Sequence, residues 1–148
     1  MLDCIHEIDL ALWYLGPARL AGAACVGGAS IGVEADALAE LILHHESGAL
    51  TNVHLNFVQR DYRRTCQIIG TEGTMYWDFD EPVVRVIGAD RSEHTTVRLD
   101  PSWSVNDMYV DELRHFIEAA RMRTPAVNPV SAAAATMKIA LAAREARV

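Results

Sequence analysis

The 148-residue chain lacks the sequence features of disulfide-rich, zinc-finger and membrane proteins. Its three cysteines are widely spaced, with no C-x-x-C pair and no Cys/His finger spacing, which favours a reducing compartment. No apolar run approaches the ~20 residues that span a bilayer, and no signal-peptide pattern opens the chain. We therefore predict a cytoplasmic protein that has no membrane partner.

Positive charge is scarce as well. Lys and Arg total 13 against 20 Asp and Glu, which gives a formal net charge of −7. There is no basic run with interleaved aromatic residues, so the sequence predicts no nucleic-acid partner and no anionic membrane surface as a partner. Hydrophobic residues make up 51% of the chain, and its length is that of one globular domain with a real core.

A dinucleotide-binding loop is also missing. Gly22, Gly27, Gly28 and Gly32 do not form a G-x-G-x-x-G after a strand, so no helix N-terminus is prepared for a pyrophosphate. The sequence therefore predicts no cofactor-binding residues in this chain. Strands and helices do not alternate either, which argues against a doubly wound parallel sheet.

The hydrophobic pattern that is present predicts a helix, then a run of strands, then two more helices. Apolar residues at helical spacing stop at Gly16, and residues 37–58 form a predicted hairpin around a turn at 46–48. We expect an α+β fold with an open-faced, mostly antiparallel β-sheet of about six strands and helices packed on one face.

The helical period returns after the strands. Ser104 with Asp107 predicts a capping box at the start of a helix. Tyr109, Leu113 and Phe116 then follow at helical spacing, and we predict that this stripe packs in the core.

Ionisable residues are concentrated at the start of the chain. Asp3, His6 and Asp9 are three residues apart, so a helix places them along one face. A histidine beside carboxylates is a common general acid/base, because imidazole exchanges a proton near neutral pH and a carboxylate orients the ring. A surface helix capped by Asp3, with His6 and Asp9 facing solvent, explains the same spacing. From the spacing alone, both interpretations stay open.

Other polar residues lie within the predicted strands. His44, His45 and His54 do not predict a metal site, because adjacent strand residues point to opposite faces of a sheet. Asn52, His54 and Asn56 share one face of a strand. That face is predicted to face solvent, or to contact a substrate or a partner.

A polar link between two strands contains Arg60, Tyr62 and Arg64. A solvated turn explains these residues. An arginine pair that binds a sugar phosphate or a nucleotide sugar explains them too, since guanidinium groups pair well with phosphate.

Three segments carry a family resemblance. They are MLDCIHEIDLALWYLGP, with its H-x-x-D and W-x-x-G patterns, followed by CQIIGTEGTMYWDF and DMYVDELRHFIEAA. In this order, and over nearly the whole chain, they resemble the C-terminal domain of the Gfo/Idh/MocA family, the relatives of glucose-fructose oxidoreductase and inositol dehydrogenase. Many members space the first pair as D-x-x-x-H, whereas Asp3 and His6 are spaced D-x-x-H, which leaves the role of Asp3 open.

The resemblance implies that residues 1–148 are a substrate-binding and oligomerisation domain, with an N-terminal Rossmann domain absent from this chain. NAD or NADP would be bound mainly by that domain, which would also supply the lysine of an E-K-P motif; the only lysine here is Lys138. The full enzyme would oxidise a secondary alcohol of a sugar, a polyol or a sugar derivative. The chain alone would be inactive.

Two functions are consistent with these features. In the first, His6 is the catalytic acid/base of an oxidoreductase and Asp3 is its partner. The candidate substrate-binding residues are Asp9, His54, Arg60, Tyr62 and Arg64. In the second, the chain is a non-catalytic binding or oligomerisation module of the same fold, and the broad sheet face forms a homo-oligomer.

Overall fold

The computed structural model describes residues 5–81 and 83–146, apart from the side chains of Ser30, Thr95 and Thr96. Asp3, the predicted partner of His6, lies outside the described residues. The helices are α1 (His6–Leu15), α2 (Val105–Met122) and α3 (Val130–Glu145), with a 3₁₀ turn at Ala29–Ile31. The strands are β1 (Ala18–Gly27), β2 (Asp36–His45), β3 (Leu50–Asn56), β4 (Thr65–Gly70), β5 (Gly73–Asp78), β6 (Val83–Gly88) and β7 (Glu93–Arg98).

The predicted α+β class with antiparallel strands is confirmed, and the strands are divided between two sheets. Over the described ranges, β1-β2-β3 form a three-stranded sheet and β4-β5-β6-β7 form a four-stranded one. Residues 57–64, between β3 and β4, are irregular. Alternating hydrophobicity indicates which residues are extended but not which strand edges pair, so the sequence did not predict this division.

The chain forms two compact units, Met1–Gln59 with Pro125–Val148, and Arg60–Thr124. In the first unit, α1 and α3 cover one face of the three-stranded sheet, as predicted. Strand residues that point toward the helices alternate with residues on the other face. The buried cluster consists of Ile8, Ala11, Cys25, Ala39, Leu41, Leu43, Val53, Leu55, Ile139, Ala140 and Ala143.

The turn between β2 and β3 is the predicted hairpin. Gly48 has a φ of +87°, in the left-handed region that glycine adopts without a Cβ clash. The His45 N–H donates to the Ala49 carbonyl at 2.9 Å, and the Gly48 N–H donates to the His45 carbonyl at 3.0 Å. This turn sets the register in which Glu40 lies opposite His54.

The second unit contains the meander from β4 to β7. Position 73, at the start of β5 between β4 and β6, requires a glycine, because a Cβ there would lie 2.3 Å from the Ile87 carbonyl oxygen. The β4–β5 pairing places Thr65 opposite Asp78 and Cys66 opposite Trp77. The loop before β4 therefore runs beside the end of β5.

Helix α2, also in the second unit, confirms one prediction and corrects another. The Ser104 N–H donates to the Asp107 carboxylate at 2.7 Å, as expected for a capping box. The predicted core packing of Tyr109, Leu113 and Phe116 is wrong, since all three are exposed, Phe116 at 64%. Helical spacing places side chains on one face but does not supply a surface that covers it. None of the described helices is long and apolar enough to span a bilayer.

Candidate functional site

His6 occupies the first turn of α1 and its side chain is exposed. Within residues 5–81 and 83–146 it has no hydrogen-bond or ion-pair partner. Its imidazole is thus accessible to a ligand, while Ile8 two residues later is fully buried against the sheet. The helix itself is anchored, so His6 projects from a fixed support.

Asp9 provides one anchor of α1. Its Oδ1 accepts a hydrogen bond from the Thr136 hydroxyl at 2.8 Å, and its Oδ2 accepts one from the Asn128 side-chain amide at 3.0 Å. Thr136 lies on α3 and is only 2% exposed. Both carboxylate oxygens of Asp9 are therefore engaged within the first unit, which favours a role in holding α1 against α3.

The other end of α1 is anchored by the hairpin turn. His45 Nδ1 lies 2.8 Å from the Gly16 carbonyl oxygen, and the Ser47 hydroxyl donates to the Leu15 carbonyl at 3.0 Å. Because a carbonyl only accepts, Nδ1 carries the proton, and in the neutral ring Nε2 accepts from the Thr51 hydroxyl at 2.9 Å. His45 is fully buried, so it is a structural residue.

The outward side of α1 also presents aromatic surface. Trp13 follows His6 by seven residues and therefore lies on the same side of the helix, about 10 Å further along its axis. Its ring stacks on Tyr14 with centroids 5.4 Å apart, and both rings are exposed. The helix that carries His6 therefore also exposes two aromatic rings.

His54 lies on the opposite face of the three-stranded sheet from α1. Its neighbours Val53 and Leu55 point into the core that contains Ile8, so His54 points to the open face. His54 Nδ1 is hydrogen-bonded to Glu40, and its Nε2 lies 2.7 Å from the Asn56 amide nitrogen. Within one chain, the sheet therefore separates His54 from His6, and the two candidates do not come together.

Glu40 is a member of this polar chain that the sequence analysis missed. The signal was a single acidic residue in the apolar stretch ALAELILHH of β2. Alternation places Glu40 on the open face, and the hairpin register then places it opposite His54.

In the second unit, the structure brings Tyr62 and Arg64 into one group, which we call the arginine–aromatic cluster. Its members are Tyr62, Arg63, Arg64, Trp77, Asp78 and Phe79. The Arg64 guanidinium lies 5.7 Å from the centroid of the Trp77 ring. Arg63 forms an ion pair with Asp78 at 2.9 Å.

The two remaining aromatic contacts of the cluster are edge-to-face. Phe79 meets Tyr62 with centroids 5.5 Å apart and Trp77 with centroids 6.3 Å apart. The residues that β5 contributes to the cluster were not predicted from the sequence. A two-residue turn after Gly70 pairs Gly70 with Gly73. Continuing this antiparallel register away from the turn pairs the end of β5 with the start of β4, so these residues could have been predicted. Over the ranges that the structure describes, no group of three His, Cys, Asp or Glu residues could hold a metal ion.

Comparison with known proteins gives one family match and several structural matches. The family model described as the GFO/IDH/MocA C-terminal domain matches residues 1–76. No curated protein sequence matches the chain.

Three solved structures illustrate the structural matches. The UDP-N-acetylglucosamine 3-dehydrogenase GnnA from Acidithiobacillus ferrooxidans is 21% identical with a TM-score of 0.79, over 97% of this chain and 44% of that one. The 3-ketoreductase KijD10 from Actinomadura kijaniata, in complex with TDP-benzene and NADP, is 15% identical with a TM-score of 0.76, over 97% and 45%.

The third is an oxidoreductase from Agrobacterium radiobacter in complex with NAD+, L-tartaric acid and magnesium. It is 17% identical with a TM-score of 0.74, over 96% of this chain and 44% of that one. At such identities the matches establish a shared fold. The chain spans less than half the length of each of these proteins.

Proposed function

Because this chain belongs to the GFO/IDH/MocA family, we propose that it is the substrate-binding half of an NAD(P)-dependent oxidoreductase. The enzyme acts on a secondary alcohol of a sugar, a polyol or a sugar derivative. The observation that carries the proposal is an exposed imidazole, that of His6, on a helix whose two ends are anchored to the rest of the first unit.

His6 handles the proton of this reaction. Oxidation of a secondary alcohol removes a hydride from carbon and a proton from the hydroxyl oxygen, and a C=O bond forms. His6 accepts the hydroxyl proton as a general base, and returns it in the reverse direction. Asp3 orients the imidazole. Asp9 contributes indirectly by holding α1 in place, since its two carboxylate oxygens accept hydrogen bonds from Thr136 and Asn128.

The hydride acceptor is NAD or NADP, held by a Rossmann domain that precedes this chain in the whole protein. The chain's own glycines do not fit a pyrophosphate, since they form no G-x-G-x-x-G. Support comes from the solved structures in complex with NADP or NAD+, which are more than twice as long as this chain. The name of GnnA, which specifies a UDP-linked sugar, supports a sugar derivative as substrate.

The test is to join a nicotinamide-binding half to this chain and to follow NAD(P)H formation over a panel of sugars and sugar derivatives. His6→Ala should lower kcat at least about 100-fold, the lower end of general acid/base contributions. The matched control is His94→Ala, an exposed histidine of the second unit, which should leave kcat unchanged. Turnover that survives His6→Ala would exclude His6 as the acid/base.

A second candidate function, a non-catalytic oligomerisation module, is favoured by the open face of the three-stranded sheet. Ile42 and Leu50 are 50% and 67% exposed there, beside the Glu40–His54 pair. Apolar residues of this size on a sheet face are suited to contact a second copy of the chain. An oligomeric enzyme would use the same surface. The oxidoreductase and the oligomerisation module therefore both predict self-association, and only the oxidoreductase predicts catalysis.

Sedimentation velocity at micromolar concentrations tests the assembly. We expect a dimer or larger species for the 148-residue chain, and dissociation on Leu50→Lys. Ile69→Lys, at a similarly exposed apolar position in the second unit (74% against 67% for Leu50), is the matched control and should not alter the sedimentation. A strict monomer would contradict self-association through this face.

A further inference from the structure

The open face of the three-stranded sheet carries its ionisable side chains in two rows that cross the strands. Over the described strands β1 to β3, these side chains are Arg19, Glu40, His44 and His54. The register pairs Glu40 with His54, which we call the acidic row, and Arg19 with His44, which we call the basic row. Four residues of β2 separate the two rows, about 13 Å along the strand.

Hydrogen bonds in the acidic row fix the proton of His54. The Gln59 backbone N–H donates to Asn56 Oδ1 at 2.8 Å, so the amide nitrogen of Asn56 is the atom that lies 2.7 Å from His54 Nε2. Because an amide nitrogen only donates, Nε2 accepts, and Nδ1 carries the ring proton and donates to Glu40. The neutral imidazole is therefore the form that satisfies this chain of hydrogen bonds.

Acid changes the charge of both rows. Histidine is the side chain that ordinarily becomes protonated between neutral and mildly acidic pH. A proton on Nε2 of His54 would face the amide hydrogens of Asn56, so that hydrogen bond is lost. The acidic row then changes from the single negative charge of Glu40 to zero, because the imidazolium charge cancels it. The basic row gains the charge of His44 in addition to that of Arg19.

The two rows make the face complementary to a second copy of itself. A two-fold dimer brings the same patch of each copy together. A two-fold axis that runs across the strands at Ile42 places the acidic row of each copy over the basic row of the other. Ile42 lies midway between the rows on β2 and is 50% exposed, and it then meets its own counterpart. Opposite charges and apolar groups are thus matched by one symmetry operation.

We propose that two copies of this chain associate through the open face with their acidic and basic rows in opposition, and that protonation of His44 and His54 weakens this association. The inference rests on the self-association described under the proposed function, and it adds the pairing of the rows and the pH dependence.

The sign of the pH dependence follows from the charges of the rows. With neutral histidines, each contact joins the negative Glu40 row to the positive Arg19 row, and the two attract. In acid, a row of zero charge faces a row with two positive charges, so the attraction is lost and more charge must be removed from water on association. Separate copies therefore bind more protons than the dimer does. The dimer is stable above the titration range of its histidines and is lost as the pH falls through it.

Sedimentation of the 148-residue chain in a dilution series tests the pH dependence. The dimer Kd should rise at least about 10-fold from about pH 7.5 to about pH 5.5, because each proton that the dimer excludes changes Kd up to tenfold per pH unit. The combined variant His44→Gln with His54→Gln should remove this rise, since a glutamine amide hydrogen-bonds without titrating. His94→Gln, at an exposed histidine of the second unit, is the matched control and should retain it.

Charge reversal tests the opposition of the rows at neutral pH. Glu40→Arg and Arg19→Glu should each raise the dimer Kd about 10-fold or more, because each places like charges against one another. The two substitutions together exchange the signs of both rows and should restore the Kd to within about 3-fold of the original. Glu93→Arg makes the same charge change at an exposed position of the second unit, and it should leave the Kd unchanged.

An equal Kd at the two pH values overturns the inference. A rise in Kd that persists without His44 and His54 also overturns it, as does a double reversal that associates no better than the single ones. Circular dichroism of each variant at both pH values shows that a loss of association is not a loss of folding.

Failure of the inference is distinct from failure of the proposed function. A dimer that dissociates on Leu50→Lys but ignores pH and charge reversal overturns only the inference. A strict monomer at neutral pH contradicts self-association and the inference together. Turnover that survives His6→Ala overturns the role of His6 and leaves the inference standing, because the sheet lies between His6 and the open face.

Discussion

The Asp9 carboxylate accepts a hydrogen bond from the Thr136 hydroxyl at 2.8 Å, across 127 positions of sequence. This contact joins α1, which carries His6, to α3, which closes the same core. Together with the contact of His45 to Gly16, it gives α1 a polar anchor near each end. The position of the candidate acid/base thus depends on the contacts of Asp9 and His45.

The Asp9–Thr136 contact should be measurable as a coupling. We expect Asp9→Ala to lower the free energy of unfolding by about 1–3 kcal/mol, because it removes the nearer acceptor of a buried hydroxyl and leaves only the Ala132 carbonyl at 3.3 Å. Combined with Thr136→Val in a double-mutant cycle under urea denaturation, it should show a coupling of about 0.5 kcal/mol or more. Glu118→Ala, at an exposed position on α2, is the control. Strictly additive losses would show that the two side chains do not stabilise one another.

His45 is predicted to be a stability residue despite being ionisable. His45→Ala should lower the free energy of unfolding by about 2–4 kcal/mol, because it leaves a cavity at a fully buried side chain and removes two hydrogen bonds, to Gly16 and Thr51. His44→Ala, one residue earlier on the opposite face, should cost less than about 1 kcal/mol. Urea denaturation of the two variants distinguishes them. Equal losses would contradict the assignment of His45 as the anchor of the Gly16 end.

Gly73 is predicted to be intolerant of a side chain. Its φ is +156°, and a Cβ would meet the Ile87 carbonyl oxygen at 2.3 Å, so Gly73→Ala should lower the stability of the second unit by about 1–3 kcal/mol. Gly70→Ala, at the other end of the same turn, is the matched control. Its Cβ would meet only the Gly73 oxygen at an ordinary 3.8 Å. Thermal unfolding followed by tryptophan fluorescence should show the difference, and similar midpoints would contradict the close approach.

The capping box should matter more for α2 than for a helix packed in a core. Helix α2 exposes its apolar stripe, so less tertiary packing compensates for a lost cap. Ser104→Ala should cost about 1 kcal/mol of helix stability and speed amide hydrogen exchange in the first turn of α2. Ser102→Ala, whose hydroxyl donates to Asp100 outside the helix, is the control. Unchanged exchange at residues 105–108 would show that the cap contributes nothing.

Local patterns were enough for the parts of the fold that are stabilised locally. The helix that ends at Gly16, the hairpin with its glycine at 48, and the capping box of Ser104 and Asp107 all follow from contacts between residues close in the chain. Alternation likewise placed Asn52, His54 and Asn56 on one exposed face of a strand. For these elements the preferred backbone conformation and the nearest hydrogen-bond partner agree.

The same patterns could not rank the candidate site residues. They placed His6 and His54 on the polar faces of a helix and a strand, and only the packing of Ile8 with Val53 and Leu55 shows that the sheet lies between them. They left Asp9 undecided, and its partners Asn128 and Thr136 are more than 100 residues away in the sequence.

By itself the sequence determined the fold class, the order of helices and strands, and the residue types available for proton transfer and phosphate binding. Each of these depends on composition and on spacing of a few residues. The tertiary structure decided the division into two sheets, the anchoring of α1, and the joining of Tyr62 and Arg64 with Trp77 and Phe79. These depend on which surfaces and strand edges meet, and that is set by the burial of the whole core, not by any local run of residues.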